Sequence, residues 1–404
     1  MRNLWFLILT SLFVYTENTT PYNPNGRIEF ISELLSDKIY YYGGHIIGAG
    51  NLDDFFYIDL TQPFSGSSPP YQLIKNLDAN GGASSVSYAN KIYVFGGFNI
   101  NGSAPPNELI IIQSITTDPV ILYVKDTISA PSSRKWHVSV VDHINQKIYV
   151  QDDGTMYIFD ISQYAWTSNP TPNQPNGRQL HTATLLPDGR IIMIGGAFSS
   201  DIGQHPYLQC LKLDVYDTKT NQWFNITATK NGYIPPIISH SATLLPDNQS
   251  VLIYGGSDQA GYSGLAVLNT SNYVWTVISP TGNAPSIISS GHKATLYFDI
   301  IIFAFGQYTV NNKRYLMNSE IRILNIINGQ YRWIDSYIPH SIINQTQKPS
   351  TQSPIPQNSN SNTNIIIGFA VGGTIGLGIL VSLGYIICLL KKRNLSMESA
   401  HEIR

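Results

Sequence analysis

Apolar and polar residues alternate along most of the chain in short runs, broken by clusters of Gly, Pro, Asn and Asp. Runs of about five residues with that punctuation predict β-strands joined by turns rather than helices. One run recurs as a nearly unbroken apolar strand that ends on a glycine pair. It reads Lys38-Ile-Tyr-Tyr-Tyr-Gly-Gly44, Lys91-Ile-Tyr-Val-Phe-Gly-Gly97, Arg190-Ile-Ile-Met-Ile-Gly-Gly196 and Val251-Leu-Ile-Tyr-Gly-Gly256. Two degenerate copies fill the gaps, Lys147-Ile-Tyr-Val-Gln-Asp-Asp153 and Ile302-Phe-Ala-Phe-Gly-Gln307. The first glycine position then falls at 43, 96, 152 (as Asp), 195, 255 and 306.

Two further signals keep step with the glycines. His137, His181, His240 and His292 stand 14 or 15 residues before the glycine position of repeats three to six. Arg134 and Arg178 precede two of them by three residues. After the glycines, Asp160, Asp217 and Asn269 lead to Trp166, Trp223 and Trp275 at a spacing of six, and Asn325 leads more loosely to Trp333. Turns such as Leu186-Pro-Asp-Gly189 fit hairpins between the first two strands of a unit. Each unit reads as a four-stranded sheet, and one such sheet cannot cover both of its faces. Six packed radially bury one another and close a ring. The glycines are expected where neighbouring backbones crowd, the Trp between blades, and the Arg–His pair in bonds that tie loops.

This combination, repeated over residues 27–340, resembles the kelch repeat family. The resemblance implies an all-β fold, a six-bladed kelch-type β-propeller, of the kind that binds proteins or glycans. Galactose-oxidase-like members share the propeller. Repeats one and two lack the His, repeat two lacks the Trp, and repeat three has Asp-Asp for Gly-Gly.

The ends follow a different pattern. Arg2 and the apolar run Leu4 to Val14 read as a signal peptide over 1–16, too short to span a bilayer. Residues 17–340 are assigned to the propeller and 341–364 to a polar Pro/Asn/Ser stalk. Residues 365–390 carry no charge and are long enough to cross a membrane, giving a C-terminal single transmembrane helix. Lys391, Lys392 and Arg393 follow at once, so the tail 391–404 is placed in the cytoplasm and the propeller outside or in a lumen. The expected localisation is a single-pass type I membrane protein of the cell surface or secretory pathway. Gly368, Gly372 and Gly376 permit weak helix dimerisation. Cys388, near the inner boundary, is read as a plain membrane-buried thiol ahead of a palmitoylation site.

Composition narrows the function. Charged residues make up 12% and the net charge is −2. There is no basic excess for a phosphate backbone, so no nucleic-acid partner is expected. The two cysteines, Cys210 and Cys388, fall in different compartments and predict no disulfide scaffold. A galactose-oxidase-like copper site, which the resemblance raises, needs a Tyr–Cys cross-link, a second Tyr and two His. Cys210 is the one cysteine on the outer side. His45, His143, His205 and His340 share no close spacing, and His401 falls in the tail. No G-x-S-x-G and no H-E-x-x-H occurs. The expectation is therefore a non-catalytic protein with no metal and no cofactor. Its unidentified protein or glycan ligand is held by the long loops that follow the glycines. Candidate binding residues are His45, Phe98, Phe198, His205, Tyr207, Tyr262 and Tyr308. Candidate glycosylation sites are Asn18, Asn101, Asn225, Asn248, Asn269 and Asn344. The alternatives are a carbohydrate oxidase and an intracellular kelch adaptor for cytoskeletal or ubiquitin machinery.

Overall fold

The computed structural model describes residues 22–340, apart from 100–107, 114, 116–117, 126–129, 132–135, 169, 172, 199–209, 257–263, 287, 311–312 and 317–318. The chain divides into two units, Met1–Lys348 and Pro349–Arg404. The expected signal segment, the stalk 341–364 and the span 365–390, with Gly368, Gly372, Gly376 and Cys388, lie outside the described residues. Among the described residues no helix is long and apolar enough to cross a membrane.

Six antiparallel meanders follow one another in chain order, each running from an inner to an outer strand. Blade 1 comprises Ile31–Leu35, Lys38–Tyr42, Asp54–Asp59 and Gln72–Asn76. Blade 2 comprises Ser84–Tyr88, Lys91–Phe95, Glu108–Gln113 and Val120–Lys125. Blade 3 comprises Val138–Asp142, Lys147–Asp152, Thr155–Asp160 and Ala165–Ser168. Blade 4 comprises Thr182–Leu185, Arg190–Ile194, Lys212–Asp217 and Gln222–Thr227. Blade 5 comprises Ser241–Leu244, Ser250–Tyr254, Leu265–Asn269 and Val274–Val277. Blade 6 comprises Lys293–Tyr297, Ile300–Ala304, Ile321–Asn325 and Arg332–Ile334. The innermost strands are neighbours around the ring, and that of blade 1 touches those of both blade 2 and blade 6.

The second strand of each blade is covered on both faces, which is why it reads as a continuous apolar run. Ile39, Tyr41, Ile92, Val94, Ile191 and Ile253 are all buried. Each fully buried side chain of this size contributes about 1.5–3 kcal/mol. The described apolar residues form six clusters, one at each junction between successive blades. Trp166, Trp223, Trp275 and Trp333 each pack on the preceding blade, as the spacing predicted. Where Trp is missing its place is filled. Ile121 stands opposite Ile112 in blade 2 and packs toward blade 1. Tyr71 fills the outer seat of blade 1 and packs toward blade 6.

The glycine pair has a steric cause. A Cβ on Gly195 (φ 64°) would lie 2.6 Å from the Ile237 carbonyl oxygen and 2.9 Å from Cε1 of His240, both from the junction with blade 5. A Cβ on Gly196 (φ 94°) would lie 2.7 Å from Cβ of His181 in its own blade. The pair is thus held between the histidines of two successive blades. Repeat six corrects the assignment made from sequence. Its strand pairing, Lys293 with Ala304, makes Phe305 the first position of the pair and Gly306 the second. Phe305 has φ 54° and meets Phe30, which occupies the histidine position of blade 1, at 5.2 Å between rings.

The histidines staple blades together. His240 Nε2 lies 3.0 Å from Thr182 Oγ1, and His292 Nε2 lies 2.8 Å from Ser241 Oγ. In each case the hydroxyl opens the inner strand of the preceding blade. The ring closes without a disulfide: Ser336–Tyr337 pairs with Phe64–Ser65, and the Tyr337 hydroxyl donates to the Leu60 carbonyl at 2.7 Å. Blades 5 and 6 carry an addition absent from the four-strand reading. Thr229–Asn231 and Thr281–Gly282 run parallel to the outer strands of these blades.

Two outcomes follow. Gly195→Ala is expected to cost more than about 3 kcal/mol of stability, since the Cβ meets a carbonyl that cannot move aside; urea unfolding reads this, and a loss below about 1 kcal/mol contradicts it. The second concerns acid. Burial pushes the imidazoles of His240 and His292 down to about 3 and that of His181 well below the usual range. The unfolded chain takes up these protons from about pH 6.5 downward and the folded chain does not, so stability is lost as pH falls. Each histidine adds a slope of about 1.4 kcal/mol per pH unit there. Glu33, which burial raises, opposes with one proton. A urea midpoint equal at pH 7.5 and pH 5 would refute this.

Candidate ligand-binding face

Connections between strands divide over two faces. On one, tight turns join first to second strands and most third to fourth strands, as at Ala89-Asn90, both with positive φ. On the other lie the loops after the glycine pairs and the crossings between blades. The loop after the glycines pairs back onto the crossing that enters its own blade. This occurs four times, at Ile28–His45, Gly81–Phe98, Gln179–Ala197 and Ser290–Gln307.

One residue before each histidine position the backbone turns left-handed. The six residues are Glu29, Gly82, Trp136, Leu180, Ser239 and Gly291, with φ between 53° and 69°. They are joined from blade to blade through the main chain. Gly82 N–H donates to Glu29 O (2.8 Å), Trp136 to Gly82 (2.9 Å), Ser239 to Leu180 (2.8 Å) and Gly291 to Ser239 (2.7 Å). These links form a collar around the central axis at the loop face. Non-glycine residues in this region cost roughly 1–2 kcal/mol each, and the interblade bonds offset that cost.

The predicted binding residues are distributed around this collar. His45 and Phe98 hold equivalent positions in blades 1 and 2, with ring centroids 5.9 Å apart. Asn51, which the sequence reading passed over, joins them: its Nδ2 donates to Phe98 O at 2.6 Å and its Oδ1 faces His45 Nδ1 at 2.9 Å. A carbonyl only accepts, so the Asn51 amide is fixed and His45 carries its proton on Nδ1. The imidazole therefore offers Nε2 as an acceptor. Phe198 lies beside Arg178 on the short pairing Ala197–Phe198 with Arg178–Gln179. Tyr308 sits on the hairpin Gln307–Val310/Lys313–Leu316 and stacks on Tyr315 at 5.5 Å. His205, Tyr207 and Tyr262 lie outside the described residues. Blade 3 has no long loop: Asp153 (φ 48°) and Gly154 (φ 85°) close a two-residue hairpin, which leaves the rim low there.

Beneath the face, arginines brace the glycine turns. Arg27 is fully buried; its guanidinium meets both oxygens of Asp54 at 2.6 Å, donates to Gly43 O at 2.9 Å and stacks on Phe56 and Phe305. Arg178 pairs with Asp214 and donates to Gly195 O at 3.3 Å. The expected loop-tying role of the Arg–His pair thus holds for Arg178, while Arg134 lies outside the described residues. Arg27 carries the same spacing before Phe30 and was missed because the histidine was used as the marker. Between blades 6, 1 and 2 the inner strands are polar. Ser85 donates to Glu33 at 2.6 Å, Ser32 meets Thr295 at 3.3 Å, and burial lowers the ammonium of Lys293.

The chemistry on this face is that of contact: aromatic rings, amides, hydroxyls and one imidazole acceptor. Among the described residues no group of three or more His, Cys, Asp and Glu is placed to hold a metal ion. Cys210 is buried between blades 4 and 5, and burial pushes its thiol up to about 12, which removes thiolate character. Asn225 on an outer strand and Asn248 in a short turn are exposed. Asn269 is half-buried, and its Oδ1 accepts the N–H of Ser271 at 2.9 Å. Asn18, Asn101 and Asn344 lie outside the described residues. The described chain ends on the short-turn side, where His340 Nε2 meets Asp299 Oδ1 at 2.8 Å.

Comparison with known proteins agrees with this geometry. A solved structure described as "Structure of YjhT" superposes with a TM-score of 0.57 at 13% identity, covering 78% of this chain and 99% of its own. A Rho GTPase-activating protein, gacHH of Dictyostelium discoideum, is 28% identical over 45% of this chain and 12% of its own length. Adagio-like protein 3 of Oryza sativa is 22% identical over 70% of this chain and 46% of its own. The flagellar outer-arm dynein alpha chain of Chlamydomonas reinhardtii is 25% identical over 41% and 4%. The chain thus spans less than half the length of each of these curated relatives. Residues 82–306 match the family described as the KLHDC2/KLHL20/DRC7 Kelch-repeats domain. With its six blades and this match over more than half its length, the chain belongs to the Kelch-repeat family.

Proposed function

We propose that this chain is a non-catalytic recognition protein whose propeller holds a protein or glycan ligand on the loop face. The observation that carries the reading is the cross-blade tie of His45, Asn51 and Phe98 beside the collar. It presents an aromatic ring and a fixed hydrogen-bond acceptor on a rigid scaffold, the arrangement recognition loops require. A kelch propeller fits a protein-binding role. The charge-free run 365–390 and the basic stop after it support a type I membrane placement, with the propeller outside or luminal. The short-turn side, where His340 is held, leaves the loop face clear of that attachment. A protein or glycan that scores on arrays probed with the purified full-length chain should bind at least about tenfold more weakly to Phe98→Ala and to His45→Ala. Unchanged binding in both, and in Phe198→Ala and Tyr308→Ala, places recognition elsewhere. Digestion of the cell-derived protein with an Asn-glycan hydrolase should lower its mass; an unchanged mass removes the luminal placement.

A further inference from the structure

The junction between blades 3 and 4 differs from the other five in two independent respects. Its apolar cluster is the smallest among the described residues, with seven buried members against nine to fifteen elsewhere. It also buries polar atoms that have no protein partner: both ring nitrogens of His181, both amide atoms of Gln151 and Nε1 of Trp223. These side chains are 5%, 1% and 3% exposed.

The repeat brings the three together. At the blade 5–6 junction the same positions are Tyr254, His292 and Trp333, with Tyr254 5.0 Å from His292 and 5.4 Å from Trp333 between rings. Gln151 takes the place of Tyr254, since Val138 pairs with Gln151 as Ser241 pairs with Tyr254. Each orphan has its own cause. His240 and His292 find a hydroxyl on the first residue of the preceding inner strand, Thr182 and Ser241. For His181 that residue is Val138. Trp275 donates to Cys210 O at 3.1 Å, a carbonyl just ahead of the third strand of blade 4. The Asp153-Gly154 hairpin leaves blade 3 no such loop. Native interiors satisfy orphans of this kind with ordered water, commonly held by two to four polar partners.

We propose that the loop-face end of the blade 3–4 junction is a built internal water site bridging His181, Gln151 and Trp223, and that this thinly packed, hydrated junction is the seam at which the ring opens first. Val138→Thr keeps the shape of valine and gives His181 the hydroxyl that its counterparts have. In the full-length protein it should raise Tm by about 2 °C. A dry, well-packed junction would instead lose stability when a hydroxyl replaces a methyl, and a lower Tm overturns the site. Gln151→Tyr, which restores the residue of blades 1 and 5, is the second variant and should also raise Tm. A crystal structure showing Gln151 bonded directly to His181 with no water between them overturns the site as well. Hydrogen exchange tests the seam. Amides of Lys147–Asp152 and Arg190–Ile194 should exchange about tenfold faster than those of Ser250–Tyr254 and Ile300–Ala304. Val138→Thr should narrow the gap. Equal rates in the two strand pairs overturn the seam.

Discussion

The structure depends on how closely one blade can approach the next at the end of its second strand. There the chain must reverse against the crossing that enters the neighbouring blade, with a carbonyl oxygen under 3 Å from where a Cβ would stand on Gly195. Glycine meets that limit and takes the left-handed backbone as well. The histidine of the next blade then occupies the space the missing Cβ leaves, and its far nitrogen reaches the inner strand behind it. Glycine pair, histidine and hydroxyl are therefore parts of one contact. Blade 6 meets the same demand differently: the aromatic Phe305 accepts the left-handed conformation because blade 1 presents Phe30, and the two rings join a cluster with Tyr41, Phe56 and Tyr71.

That contact also explains what could be read from sequence. The glycine pairs, the four histidines and the four tryptophans are local strings with fixed spacing, so blade number and strand order were legible. Phe30, Tyr71, Ile121 and Phe305 were not, because they do the work of the repeat residues with different chemistry and only their seats identify them. The parallel strands Thr229–Asn231 and Thr281–Gly282 were invisible for another reason. Neither is strongly apolar, and each becomes a strand only through the outer edge it lies on. On the loop face, His45 and Phe98 were legible as residues after a glycine pair. Asn51 was not, since its role comes from lying between two loops far apart in sequence.

The ring is uneven in its polarity. The inner walls of blades 6, 1 and 2 are joined by hydroxyls and carry Glu33 and Lys293, while Val138, Val140, Ala183, Leu185, Ala242 and Leu244 line blades 3 to 5. The largest apolar cluster joins blades 6 and 1, where chain ends must be held, and the smallest joins blades 3 and 4. Closure at the termini is thus reinforced by packing, and the ring is thinnest where the chain is continuous.

The collar at the loop face uses main-chain atoms alone. Four of its six positions carry side chains as different as Glu29, Trp136, Leu180 and Ser239, and none of those side chains makes a collar bond. Architecture and surface chemistry are in this way decoupled at the same residues. A lineage built on this frame is free to change charge, size or aromaticity at the mouth of the ring and keep the ring itself, so ligand preference can diverge faster than the fold.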